Sequence, residues 1–139
     1  MRPIVVDAGP LYAVVDRDDR HHQASTELFA RYQPSELLVP APVLVEVCWA
    51  IADHLDSDAE ARFIDRVSKG AVTIIDLDDV DYQRTAELAG TYVDFPLGFV
   101  DAAVVAVAER RNLDTVATID HRHFRAVRPA HVEHFTVVP

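Results

Sequence analysis

Four carboxylates stand where their surroundings are apolar: Asp7 after "PIVV", Glu46 inside "VLVEVCWAI", Asp101 in "GFVDAAVVAVAER" and Asp120 after "TVATI". An anion among hydrophobic residues is costly unless something pairs with it. Each has a local explanation. Asp7 suits a turn whose side chain bonds the following backbone, and Asp101 suits the positive end of a helix dipole. Asp120 suits a cap on the short "HRHF" turn, and Glu46 suits a satisfied core acid. Taken together, they point further. Four anions gathered in one apolar pocket repel one another, so some must stay protonated; a bound divalent cation inverts that charge logic. The donors are all oxygen, with no Cys or His at zinc spacing, which selects a hard ion such as Mg²⁺ or Mn²⁺. An ion held this way keeps waters and works on phosphate groups. Metal-assisted phosphodiester hydrolysis, with one or two ions, is the natural reaction class.

The elements that must position these acids are legible in the patterning. "PIVV" (3–6) reads as a short buried strand, and Pro10 sits well in the first turn of the helix that follows. A helix is expected over 21–32 with Ala24 and Leu28 inward, then a strand at "ELLVP" (36–40) and a long apolar helix opened by Pro42. Residues 57–69 read as an amphipathic helix with Phe63, Ile64 and Val67 inward, closed by Gly70. "AVTIIDL" and "DTVATID" (114–120) are further strands, "DVDYQRTAELAGTY" and "LGFVDAAVVAVAERRN" further helices, and "HFTVV" an edge strand. Asp101 shares a helical face with Val104, Val105 and Ala108. Alternating strands and helices imply an α/β fold with a mainly parallel sheet of four to five strands. In such sheets, sites gather beyond the carboxyl ends of the strands, where Asp7 and Asp120 fall.

Composition bounds the alternatives. A chain of 139 residues makes one domain, 1–139, which buries roughly two-thirds of its unfolded surface and needs no disulfide or structural metal. The single cysteine, Cys48, excludes an intrachain disulfide and fits a cytoplasmic setting. Among apolar neighbours it reads as a buried hydrophobe rather than a nucleophile. The apolar run Ala102 to Ala108 falls far short of the roughly 18–20 residues needed to span a bilayer. A net charge of −10 argues against a protein that coats nucleic acid. The basic residues are nonetheless nearly all Arg, which grips phosphate in a planar fork. Arg17, Arg20, Arg122 and Arg125 follow the strands that carry Asp7 and Asp120; they read first as solvated loop charge, and by placement as candidates to hold an RNA backbone.

The sequence resembles the PIN-domain ribonucleases, in particular the VapC-type toxins of type II toxin–antitoxin systems. The resemblance rests on "IVVDAGPLYAVVDRDDRHH", "PAPVLVEVCWAI", "LGFVDAAVVAVAERRN" and "TVATIDHRHF" and runs over essentially the whole chain. It implies a three-layer αβα sandwich and a Mg²⁺- or Mn²⁺-dependent endoribonuclease that hydrolyses RNA through a metal-activated water. Asp7 and Asp101 would be the principal metal ligands, with Glu46 and Asp120 completing the catalytic pocket. It also implies a cognate antitoxin, a homodimer, operator DNA bound only through the antitoxin, and no membrane partner. Where many relatives place Ser, Thr or Asn after the first acid, this chain has Ala8 and Gly9.

Two further residues are retained as accessories. Asp94 reads first as a helix-end residue and second as a fifth acid. Thr118, two residues before Asp120 on the same strand face, reads first as a plain strand residue and second as a group that orients a carboxylate. The histidine pairs His21–His22 and His121/His123 read as solvated or RNA-facing loop residues. The competing functions are a PIN-like binding or assembly module with weak catalysis, and a PIN nuclease of RNA processing outside any toxin–antitoxin pair. Haloacid-type phosphatases need D-x-D after the first strand, and receiver domains need a late-strand Lys; neither pattern is present.

Overall fold

The structure, a computed structural model, describes residues 1–139. Five short strands, β1 (Ile4–Val6), β2 (Leu37–Pro40), β3 (Thr73–Ile75), β4 (Thr115–Ala117) and β5 (Thr136–Val138), form one sheet in the order β3-β2-β1-β4-β5. Every pairing is parallel. Seven helices connect them: α1 (Ala8–Val15), α2 (His22–Phe29), α3 (Ala41–His54), α4 (Ser57–Ser68), α5 (Asp79–Thr91), α6 (Phe99–Arg110) and α7 (His121–Ala126). The result is the three-layer α/β arrangement expected from the alternating pattern. No helix is long and apolar enough to cross a membrane.

The strand order places a topological switch between β1 and β4, because the chain leaves β1 toward β2 and returns on the other side. Parallel sheets open a crevice at such a point, beyond the strands' carboxyl ends. The first residue past β1 is Asp7, whose backbone N–H donates to Ala117 O at 2.8 Å, so the ends of β1 and β4 are tied together there.

Burial explains each helix's composition. Along α3, Val43, Val47 and Ile51 form one fully buried stripe, each contributing about 1.5–3 kcal/mol. Glu46 flanks that stripe and is exposed, as are Val45 and Trp49, so the expectation of an inward Glu46 enclosed by apolar neighbours does not hold. In α6 every residue from Ala102 to Ala108 is buried. A helix apolar all round is a buried helix, and the single face expected for Asp101 is therefore only part of its surroundings. In α4, Ala59 and Phe63 are buried, whereas Ile64, one residue and about 100° further round, is half exposed. In α2 the buried residues are Ser25 and Leu28, and Ala24 faces outward.

Both α4 and α6 end in Schellman turns. Gly70 (φ 85°) follows α4, with Ala71 N–H donating to Arg66 O at 3.1 Å and Gly70 N–H to Val67 O at 3.0 Å. Asn112 (φ 54°) does the same after α6, where Leu113 N–H donates to Ala108 O at 2.9 Å. Left-handed backbone is what Gly and Asn tolerate best. The second turn swings the chain from α6 into β4, and so couples the helix that carries Asp101 to the strand that leads to Asp120.

Candidate functional site

Three kinds of element end supply the acids. Asp7 is the N-cap position of α1 at the end of β1, Asp101 lies in the first turn of α6, and Asp120 is the N-cap of α7 just beyond β4. Glu46 comes from the second turn of α3. With Ala8, Gly9 and Ile119 they line one cavity of about 490 Å³. Gly9 suits this closure: a Cβ there would lie 3.1 Å from Ile119 Cδ1, a tight contact that would push the start of α1 and the β4–α7 connection apart by a few tenths of an ångström.

Asp7 is buried and accepts a hydrogen bond on Oδ2 from Thr118 Oγ1 at 2.8 Å. The same hydroxyl accepts from Asp120 N–H at 3.0 Å. Thr118 is completely buried. It thus connects two of the acids. Burial, then the Asp101 charge, push the Asp7 carboxyl up to about 7, against the opposing hydrogen bonds from Ala8 and Thr118. Burial also raises Asp101, with Asp120 adding to the rise and His123 opposing it. Glu46 is raised by desolvation and by Asp101. The acids are therefore close enough to resist simultaneous ionisation, which is the charge frustration that a cation relieves.

The donor chemistry fits a hard divalent ion. Four carboxylates converge with space between them, and Asp101 additionally lies at the positive end of the α6 dipole, which favours its ionised form. Asp7, Asp101, Glu46 and Asp120 are the side chains that could hold such an ion.

Residues 4–129 match the family model for the PIN domain. Over 137 residues the chain is 30% identical to Ribonuclease VapC26 of Mycobacterium tuberculosis (strain ATCC 25618 / H37Rv), covering 98% of this chain and all of that protein. The chain belongs to the PIN-domain family, among its VapC-type members. The fold agrees with that assignment. A crystal structure of Mycobacterium tuberculosis VapC20, described as a sarcin-ricin loop cleaving toxin, superposes with a TM-score of 0.74 at 18% identity, covering 81% of this chain and 86% of that one. The crystal structure of DNA-bound VapBC from Salmonella typhimurium gives a TM-score of 0.73 at 16% identity, covering 99% of this chain and 98% of that one.

Other residues singled out in the sequence of this PIN domain fall in different places. Asp94 is exposed on the connection between α5 and α6 and does not line the acidic cavity. Arg17 lines a second, largely apolar cavity of about 780 Å³ between α1, α2 and α4. Arg20 and Arg125 are exposed. Arg122 stacks its guanidinium 5.3 Å from the centre of the Phe95 ring, a cation–π contact on the α7 side of the acids.

His123, read from the sequence as a solvated or RNA-facing loop residue, lies instead in α7 with its ring against the acids. Its Nδ1 lies 2.9 Å from Asp101 Oδ2 and 2.8 Å from Asp120 Oδ2, and its backbone N–H donates to Asp120 Oδ1 at 3.2 Å. The D-x-x-H spacing of 120–123 carried the signal: an N-cap and the third helical residue face each other across the first turn.

Proposed function

We propose that this PIN domain is the toxin of a type II toxin–antitoxin pair and acts as a Mg²⁺- or Mn²⁺-dependent endoribonuclease. The observation that carries the reading is the convergence of Asp7, Glu46, Asp101 and Asp120 on one cavity at the β1/β4 switch. The 30% identity to a ribonuclease over 98% of this chain supports it. A divalent cation held by these carboxylates supplies Lewis acidity toward a phosphodiester and lowers the pKa of an attacking water. Asp7 and Asp101 are its principal anchors, being the more buried pair. Thr118 keeps Asp7 turned toward the cavity, and Glu46, exposed on its flank, faces the approach from solvent. Arg122, braced on Phe95, is the arginine best placed beside the acids to hold a phosphate of the RNA backbone.

The partner side of the proposal rests on the second cavity. Its walls are apolar, with Leu11, Val15, Phe63 and Val67 among them, and Arg17 and Arg66 stand at it. An antitoxin segment that combines apolar and acidic residues matches that lining. The homodimer is supported by the outward Val45 and Trp49 of α3, 70% and 67% exposed, which would lose water contact against a second copy. Operator DNA would then be contacted by the antitoxin rather than by this acidic chain.

The test is cleavage of total cellular RNA by purified protein in Mg²⁺ or Mn²⁺, with Asp7→Asn as control and sequencing of the new RNA ends. Metal-dependent ends that vanish in the variant bear the reading out. Intact RNA with both ions, and no growth defect on induced expression, would leave only a binding module.

A further inference from the structure

The acidic cavity contains oxygen donors, but the nearest side chain to two of them offers nitrogen. His123 Nδ1 is within hydrogen-bonding distance of Asp101 Oδ2 and of Asp120 Oδ2 at once. An imidazole nitrogen carries at most one proton, so it cannot make two full, linear hydrogen bonds to two carboxylates. One atom that faces both oxygens is also the arrangement that three ligands take around one small cation. The donor atoms of Asp101, Asp120 and His123 lie within 4.8 Å of one another. Adjacent ligands of an octahedral ion with bonds of about 2.1 Å stand about 3 Å apart, close to the two separations seen.

The imidazole is also held in that orientation from outside. The Phe95 ring packs edge-on against it, with centroids 5.1 Å apart and planes at 78°. Arg122 lies on the same Phe95 ring. The Asp120 carboxylate caps α7 by accepting from the backbone N–H of His123, so side chain and main chain of one residue contact the same carboxylate. These contacts fix the ring before any ion arrives and reduce the entropy lost on binding.

Resting on the nuclease reading, we propose that His123 Nδ1 is a metal ligand. It joins Asp101 and Asp120 at the divalent cation and biases the site toward Mn²⁺ over Mg²⁺. The bias follows from donor type: carboxylate and water serve both ions, but Mn²⁺, as a first-row transition ion, accepts a nitrogen donor more readily than Mg²⁺, which dehydrates reluctantly and keeps to oxygen. His123 is then a determinant of which metal this site takes.

Direct Mn²⁺ binding tests this without reference to RNA cleavage. Wild-type protein, His123→Asn and His123→Ala are titrated with Mn²⁺ by electron paramagnetic resonance, and Mg²⁺ is then used to displace it. Asn retains an amide N–H near the position of Nδ1, so it can still hold the carboxylates, but it offers no imidazole lone pair. The expected result is a loss of Mn²⁺ affinity of roughly tenfold or more in both variants, with Mg²⁺ affinity changed by less than about twofold. Pulsed spectra of Mn²⁺ bound to the wild-type protein should show coupling to one ¹⁴N, absent in His123→Asn; this readout on the wild type does not depend on how well either variant folds. Equal losses for both ions in His123→Ala, restored in His123→Asn, would show that His123 only positions carboxylates and would overturn the proposal, as would absence of ¹⁴N coupling. If wild-type protein binds neither ion, the nuclease reading itself fails; if it binds Mn²⁺ without nitrogen coupling, only the role of His123 fails.

Discussion

The Thr118 hydroxyl serves Asp7 and Asp120 at the same time, donating to Asp7 Oδ2 at 2.8 Å and accepting from the Asp120 backbone at 3.0 Å. These two acids come from strands adjacent in the sheet but more than a hundred residues apart in the chain, and one buried side chain sets their relative position.

Thr118→Val keeps the volume and removes both bonds. Asp7 loses a contact that favours its ionised form, and the Asp120 N–H is left without that acceptor. The expected cost is about 1–3 kcal/mol of stability, the penalty for stranding buried polar groups. Mn²⁺ affinity and RNA cleavage should each fall by roughly 10- to 100-fold, as when a group that orients a metal ligand is lost. Thr118→Ser should recover most of both. Chemical denaturation and metal titration of the three proteins check this; an unchanged metal affinity in Thr118→Val would remove Thr118 from the site.

The raised Asp7 carboxyl, at about 7 against an ordinary value of 3.8, makes stability without metal depend on pH in a defined direction. Between those two values the folded protein holds a proton that the unfolded chain has released, so stability falls as pH rises through that window. The fall is on the order of a few kcal/mol by pH 8. Asp101 and Glu46, also raised, act in the same direction. In chelator, Asp7→Asn should match the wild type near pH 4, exceed it in stability at pH 8, and show a flatter profile between. Adding Mn²⁺ at pH 8 should stabilise the wild type more than the variant, because only a folded site binds the ion. A wild-type profile with no slope between pH 4 and 8 would contradict the charge crowding inferred for the cavity.

Glu46 and Asp101 line the same cavity but are not equivalent. Asp101 is half-buried at the start of α6, whereas Glu46 is exposed on the flank of α3. The less buried carboxylate is replaced by water at smaller cost than the more buried one. Asp101→Asn is expected to reduce cleavage by at least ~100-fold and Glu46→Gln by nearer ~10-fold, with the larger loss of metal affinity in Asp101→Asn. Rates measured at saturating Mn²⁺ separate weakened metal binding from weakened chemistry. The opposite ranking would make Glu46 the principal anchor.

The sequence made the acids legible because strand ends announce themselves: "PIVVD" and "TVATID" combine a short β-branched run with an abrupt carboxylate, and the parallel alternation supplies the rule for where such residues meet. Asp101 was legible through its contrast with the Ala/Val run after it. Failures came where one residue decides between two sides of a helix. Ala24 and Ile64 each lie about 100° from the residue that is buried, Ser25 and Phe63 respectively, and hydrophobicity alone does not choose between neighbours. Glu46 was misjudged for the same reason, since Val45 and Trp49 look like core residues until the stripe of Val43, Val47 and Ile51 is seen. Arg17 depended on the path of the chain between α1 and α2, which no local pattern encodes. His123 needed the position of Asp101, which is distant in sequence, before its ring had anything to face.

The far end of α6 is held by a different device, with consequences for stability rather than chemistry. Arg110 makes hydrogen bonds of 2.8 Å from both Nε and Nη2 to Asp81 of α5, whose side chain is only 1% exposed. Asp81 also accepts from the Asp78 backbone N–H at 3.1 Å, completing a reciprocal cap at the start of α5. Burial pushes the Asp81 carboxyl up, but the Arg110 guanidinium and the Asp78 hydrogen bonds outweigh it and hold the group below the ordinary range. A lowered pKa contributes stability above the unfolded value, near 3.8, and loses it as pH falls through the folded one. Arg110→Ala strands a buried carboxylate and should cost about 3–5 kcal/mol at pH 7. The cost should shrink as pH falls below about 4, where Asp81 becomes neutral in the variant and then in the wild type. At a temperature where the variant remains folded, Mn²⁺ affinity should stay within about twofold of wild type, because the acid cluster lies at the other end of the helix. A variant that melts normally, or one that stays folded yet loses metal, would separate α6 from the role assigned to it here, that of a rigid buried rod that presents Asp101.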